Sequence, residues 1–135
     1  MWANSGVFNF KDSSGNTCVL PAGGTLLSNS TGANLTAGYT ATSYSLGTVS
    51  GGTVTLSATN GNIQHMTNNG AFTLAPQPNP STIALEIVNG SSAGAITTSG
   101  YTKVIGSFGT ASGSKFQCIS CVTNSSSALY ITEVV

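Results

Sequence analysis

Residues 70–115 read GAFTLAPQPNPSTIALEIVNGSSAGAITTSGYTKVIGSFGTASGSK, and the fold class turns on how they alternate. Phe72 and Leu74 alternate with Thr73 and Ala75, the period of a half-buried strand. Pro76, Pro78 and Pro80 then deny any ladder an N–H donor, so pairing stops. In the next run Ile83, Leu85 and Ile87 share one face, while Thr82, Ala84 and Glu86 share the other. Asn89-Gly90 ends it with a pair suited to positive φ. Ala95–Thr98, the Ser99-Gly100 break and Tyr101–Ile105 follow, and a Gly/Ser/Thr loop over 106–114 closes the stretch. No helical period interrupts this pattern.

The same grammar extends in both directions. Downstream, 115–123 reads as a strand, 124–127 as a turn and 128–135 as a last strand. Upstream, Thr53–Ser57 points Val54 and Leu56 inward, and Asn60-Gly61 is a strong hairpin dipeptide. Ile63–Thr67 is expected to pair back across it, before Asn68-Asn69-Gly70 turns the chain again. About eight strands follow residue 51, with turn signals every 8–12 residues. The spacing predicts an all-β fold, an antiparallel β-sandwich of jelly-roll type over 49–135. No clear internal repeat is visible, which argues against a β-solenoid.

Residues 1–48 read differently, as an irregular N-terminal arm or extended segment. Val7, Phe8 and Phe10 form an aromatic cluster, and Thr17–Leu20 is a short strand. From Ser28 to Tyr44 the chain is almost entirely Ser, Thr, Asn, Gly and Ala. That stretch buries too little to fold alone. It is either an arm ordered against a neighbour or a long loop across its own sheet. Trp2, Val7, Phe8 and Phe10 are costly to leave wet, and are the candidate partner-binding residues of the arm.

Composition bounds the function. At 135 residues the chain fits one domain, large enough to bury a core without a metal or a disulfide. Only 4% of residues are charged and the net charge is zero, against about 25% charged in an average chain. With 39% hydrophobic residues the sequence is unlike a disordered one. Three lysines and no arginine cannot neutralise a run of phosphates, so nucleic acid is not an expected partner. Nor is a membrane: there is no polybasic patch and no apolar stretch long enough for a spanning helix. The first fifteen residues lack the basic start and apolar core of a secretory signal. A surface so poor in charge lacks the repulsion that keeps monomers apart, which points to life inside an assembly.

The phrases GAFTLAPQPNPSTIALEIVNG, SSAGAITTSGYTKV and KFQCISCV resemble a β-module that recurs in structural proteins of tailed bacteriophages, often near their C-termini. The resemblance covers about residues 47–135. It implies a structural virion protein assembled in the host cytoplasm, a capsid decoration (cement) or head-spike protein, or alternatively a tail-fibre tip contacting a host glycan. It further implies a homotrimer and contact with the major capsid protein or another virion protein. It carries no catalytic residues to this chain.

Few residues could do chemistry. Cys118 and Cys121 form C-x-x-C, but on a strand they lie roughly 10 Å apart and on opposite faces, beyond the reach of a disulfide. A zinc site would have only Cys18 and His65 to add, so buried reduced cysteines are expected, with no metal and no cofactor. His65, the single histidine, shares strand parity with Ile63 and is expected at the core edge or at a subunit contact. Glu86, Glu133 and Asp12 lie in separate segments and no G-x-S-x-G elbow is present, so no catalytic set is expected. His65, Ala84 and Glu86 are the candidate subunit-interface residues. Four Asn-x-Ser/Thr matches, at Asn29, Asn34, Asn89 and Asn124, are what chance gives in a chain this rich in these residues.

Overall fold

The computed structural model describes residues 40–134 and, as backbone, three earlier strands: β1 (Trp2–Asn4), β2 (Val7–Lys11) and β3 (Thr17–Leu20). The chain divides into two units, Met1–Tyr39 and Thr40–Val135. In the first unit β1, β2 and β3 form an antiparallel sheet, with Trp2 opposite Asn9 and Phe10 opposite Cys18. This part of the expected irregular arm is therefore paired backbone. Of the stretch from Ser28 to Tyr44, where arm and loop were the alternatives, residues 28–39 lie outside the described residues and Tyr44 opens a strand of the second unit.

The second unit holds β4 (Tyr44–Val49), β5 (Thr53–Thr55), β6 (Ile63–Asn68), β7 (Phe72–Ala75), β8 (Ser81–Asn89), β9 (Ile96–Thr98), β10 (Lys103–Ile105), β11 (Lys115–Val122) and β12 (Ser127–Val134). The unit begins at Thr40, ahead of the boundary expected after residue 48, because β4 is a full member of a sheet. Among the described residues there is no α-helix. The strands from Thr53 onward fall where alternation and turn residues put them.

The pairing departs from the antiparallel jelly roll. A six-stranded sheet has the order β10-β12-β11-β8-β6-β4, and a three-stranded sheet the order β5-β7-β9. β4, β6 and β8 run parallel, as do β5, β7 and β9. Successive strands thus cross from one sheet to the other, and three coils stack in the manner of a β-solenoid. Only β8, β11 and β12 form an antiparallel set, with β10 added parallel to β12.

Asn60-Gly61 is accordingly a corner, not a hairpin. Ala58–Asn60 make one 3-10 turn, capped by Ser57 Oγ accepting from the Thr59 N–H at 3.3 Å. Gly61 then takes φ +90°, a left-handed value that glycine adopts without strain. Gln64 fixes the corner by donating through Nε2 to the Ser57 and Gly61 carbonyls, both at 2.7 Å. The repeat escapes notice in the sequence because its corners differ in length. They occupy residues 50–52, 69–71 and 90–95 on one side, and 56–62 and 76–80 on the other.

One core joins the two sheets. Met66, Ile83, Leu85, Ile87, Phe116, Cys118, Leu129 and Ile131 from the large sheet meet Leu56, Phe72 and Leu74. Phe108 packs edge-on against Phe116, ring centroids 5.4 Å apart at 76°, the favoured aromatic geometry. Asn68 and Asn89 stack inside one corner, where Asn68 Nδ2 donates to Asn89 Oδ1 at 2.9 Å. Asn89 Nδ2 donates in turn to the carbonyls of Gly109 and Ala111. Gly94 lies directly on the Gly70–Ala71 backbone, leaving no room for a Cβ. The proline-rich loop is tied down by buried Gln77, which accepts from Ser120 Oγ at 2.8 Å and donates to the Ser81 carbonyl at 2.9 Å.

Candidate functional site

Strand alternation sends every second residue of the six-stranded sheet away from the core. Register then aligns those outward residues into rows. One row runs His65–Glu86–Gln117–Thr132 across β6, β8, β11 and β12, with Ser45 of β4 beside His65. The adjacent row is apolar over five strands: Ile63, Ala84, Ile119, Tyr130 and Ile105. Ile119 is 43% exposed, and Tyr130 and Ile105 are each 46% exposed. On the row beyond Glu86, Val88 and Val134 flank Lys115.

An open groove of about 560 Å³ runs along this face over Ser43, Ile63, His65, Ala84, Glu86 and Ile119. The three residues named as interface candidates come together here. His65 lies opposite Glu86 in the β6–β8 register, Ala84 lies opposite Ile63, His65 and Ala84 are half-buried, and Glu86 is exposed. His65 therefore faces outward, as its parity with Ile63 requires. Its Nδ1 shares a 2.8 Å hydrogen bond with Ser43 Oγ. Among the described residues no hydrogen bond or ion pair joins Glu86 to His65, so the pair lacks the orienting carboxylate that activates a serine.

The cysteines separate as the strand period demands. Cys118 is in the core and Cys121 is half-buried on the outer face, and both are free thiols. Burial pushes the Cys118 thiol up to about 12, which keeps it protonated and a poor nucleophile near neutral pH. Burial also raises Tyr101, with a hydrogen bond shared between its hydroxyl and Ser120 Oγ acting the other way. Among the described residues no group of three His, Cys, Asp or Glu is placed to hold a metal ion. No helix among them is long and apolar enough to cross a membrane.

Trp2 lies in β1 and Val7, Phe8 and Phe10 in β2; the setting of their side chains is outside the described residues. Sequence reasoning missed Ile119, Tyr130 and Ile105. The β11 sequence did hold the clue, since putting Phe116 and Cys118 inward leaves Ile119 outside. What was lacking was the register that sets Tyr130 and Ile105 in line with it. Compared with known proteins, the chain matches no family model, no curated protein and no solved structure.

Proposed function

We propose that this protein is a structural component of a tailed-bacteriophage particle, a capsid decoration or head-spike protein that acts by surface contact. One observation carries the contact role: the apolar row Ile63–Ala84–Ile119–Tyr130–Ile105 on an outer face whose charges, Glu86, Lys103 and Lys115, lie in other rows. Contiguous exposed apolar surface of this kind marks protein contact. Covering an isoleucine or tyrosine fully is worth about 1.5–3 kcal/mol, so adhesion needs no bond-making chemistry. The virion assignment itself rests on the resemblance of residues 47–135 to phage β-modules.

A second reading has its own support. Parallel stacked coils are the way solenoids build extended bodies, which favours a tail-fibre tip. Loops 76–81, 90–94 and 106–114 would then contact a host glycan. Quantitative mass spectrometry of purified particles of the phage whose genome encodes the chain separates the two. A decoration protein is expected in hundreds of copies per particle, a fibre tip in tens or fewer. Absence of the protein from particles, or a gene lying outside any phage or prophage, overturns both.

A further inference from the structure

We propose that the outer face of the six-stranded sheet pairs with the same face of a second copy, about a two-fold axis parallel to the strands at Ile119. The register dictates what such an axis brings together. Ile119 on the central strand β11 meets its own counterpart. One strand away on either side, Tyr130 of β12 meets Ala84 of β8, so the largest side chain of the row falls on the smallest. Two strands away, Ile105 of β10 meets Ile63 of β6. The ridge made by Tyr130 and Ile105 thereby enters the partner's groove, which Ile63, Ala84 and Ile119 line. Bulk opposite absence of bulk is a self-complementary pattern, the requirement of an isologous interface.

Size and charge agree with a second copy as the occupant. The five strands that overlap about this axis, β10 to β6, lie about 4.8 Å apart and carry eight or so residues at ~3.3 Å each along the central ones, giving a face of roughly 25 by 25 Å. Two such faces bury on the order of 1,200 Å² in total, the lower bound of a specific, stable interface. In the polar row the axis sets Glu86 opposite Thr132 and Gln117 opposite itself, so no two carboxylates meet. The same axis sets Lys115, on β11 like Ile119, opposite its own counterpart at the end of the face, where the Glu86 of each copy, one strand and one row away, offsets the two ammonium groups. Sheet-on-sheet packing of this kind is how sandwiches form within a chain; here it joins two. The stoichiometry differs from the trimer implied by the phage resemblance, because a flat self-complementary face closes on itself at two copies.

Light scattering of the full chain after size exclusion tests the pairing. The wild-type protein is expected at twice its 13.5 kDa at tens of micromolar. Ile119→Glu, which buries two facing carboxylates, is expected to weaken pairing by roughly a hundredfold or more with an unchanged circular dichroism spectrum. Ala84→Tyr is expected to block pairing by filling the groove. Adding Tyr130→Ala to it, which exchanges knob and hole, is expected to restore it. A wild-type monomer at that concentration, a trimer, or an Ile119→Glu dimer of unchanged affinity overturns the proposal. Failure of the exchanged pair to recover overturns the stated axis. Because the assay uses free protein, a monomer that still loads onto particles overturns the pairing alone, and a dimer absent from particles overturns the virion role alone.

Discussion

The two sheets share a core but present different outer faces. On the three-stranded sheet the outward positions of successive coils are Thr53, Thr73 and Thr97, with the Thr73 and Thr97 hydroxyls 2.8 Å apart. These side chains satisfy one another and the solvent. On the six-stranded sheet the corresponding positions include Ile119, Tyr130 and Ile105, which satisfy neither. Alternation fixed which residues point outward on both sheets for the same geometric reason. It did not fix what outward means, and the difference is why the proposed contact side is the large sheet.

The distinction between inward and outward residues can be broken most sharply on one strand. Phe116→Ala, in the core, is expected to cost about 3–5 kcal/mol, read from the urea midpoint. Ile119→Thr, three residues along and on the outer face, is expected to stay within about 0.5 kcal/mol for the isolated chain. Equal costs would mean that Ile119 already has its partner within the fold.

The stacking of coils can be sharpened at equivalent corners. Gly94→Ala drives a methyl into the Ala71 backbone, whereas a methyl at Gly51 meets nothing within 4 Å. The first change is expected to cost about 1–3 kcal/mol as overpacking and the second almost nothing. Similar costs would deny that the third coil lies on the second. Asn89→Ala removes the donor to the Gly109 and Ala111 carbonyls and the acceptor for Asn68. It is expected to cost about 1–3 kcal/mol for the buried groups left unpaired.

The last expected effect concerns the two thiols, and its pH-dependent part is absent near neutral pH. Cys121 is expected to react with a thiol reagent in the native state, and Cys118 only on unfolding. The fold holds Cys118 protonated up to about pH 12, against an ordinary value of 9.0. Below pH 9 its contribution is fully present. Between 9 and 12 the unfolded chain binds fewer protons than the folded one, so stability falls as pH rises. Tyr101, also raised, adds to the fall in the same direction. Cys118→Ala is expected to flatten that decline.

Strand positions were legible because alternation is local: Phe72/Leu74 and Ile83/Leu85/Ile87 announce themselves without any partner. Pairing was not legible, because it depends on where the chain goes after each corner. Asn60-Gly61 has the composition of a hairpin, yet Gly61 with its preceding 3-10 turn redirects the chain to the opposite sheet. The asparagines at 68 and 89 read as turn residues, and their stacking is a property of two coils, not of either segment. For the candidate site the same limit applied. Ala84 and Glu86 could be placed on an outer side by parity, whereas parity with Ile63 put His65 at the core edge or at a subunit contact. Ile119, Tyr130 and Ile105 became one row only when β11, β12 and β10 were set in register.

The contact face exists only if β6 and β8 run side by side in the same direction. Interstrand nuclear Overhauser contacts decide this directly. Parallel-type contacts between amide and α protons are expected to link His65 with Glu86 across β6 and β8, and Thr73 with Thr97 across β7 and β9. Close α-proton pairs linking Leu56 with His65 across an Asn60-Gly61 hairpin would contradict the stacked coils, and the contact face with them.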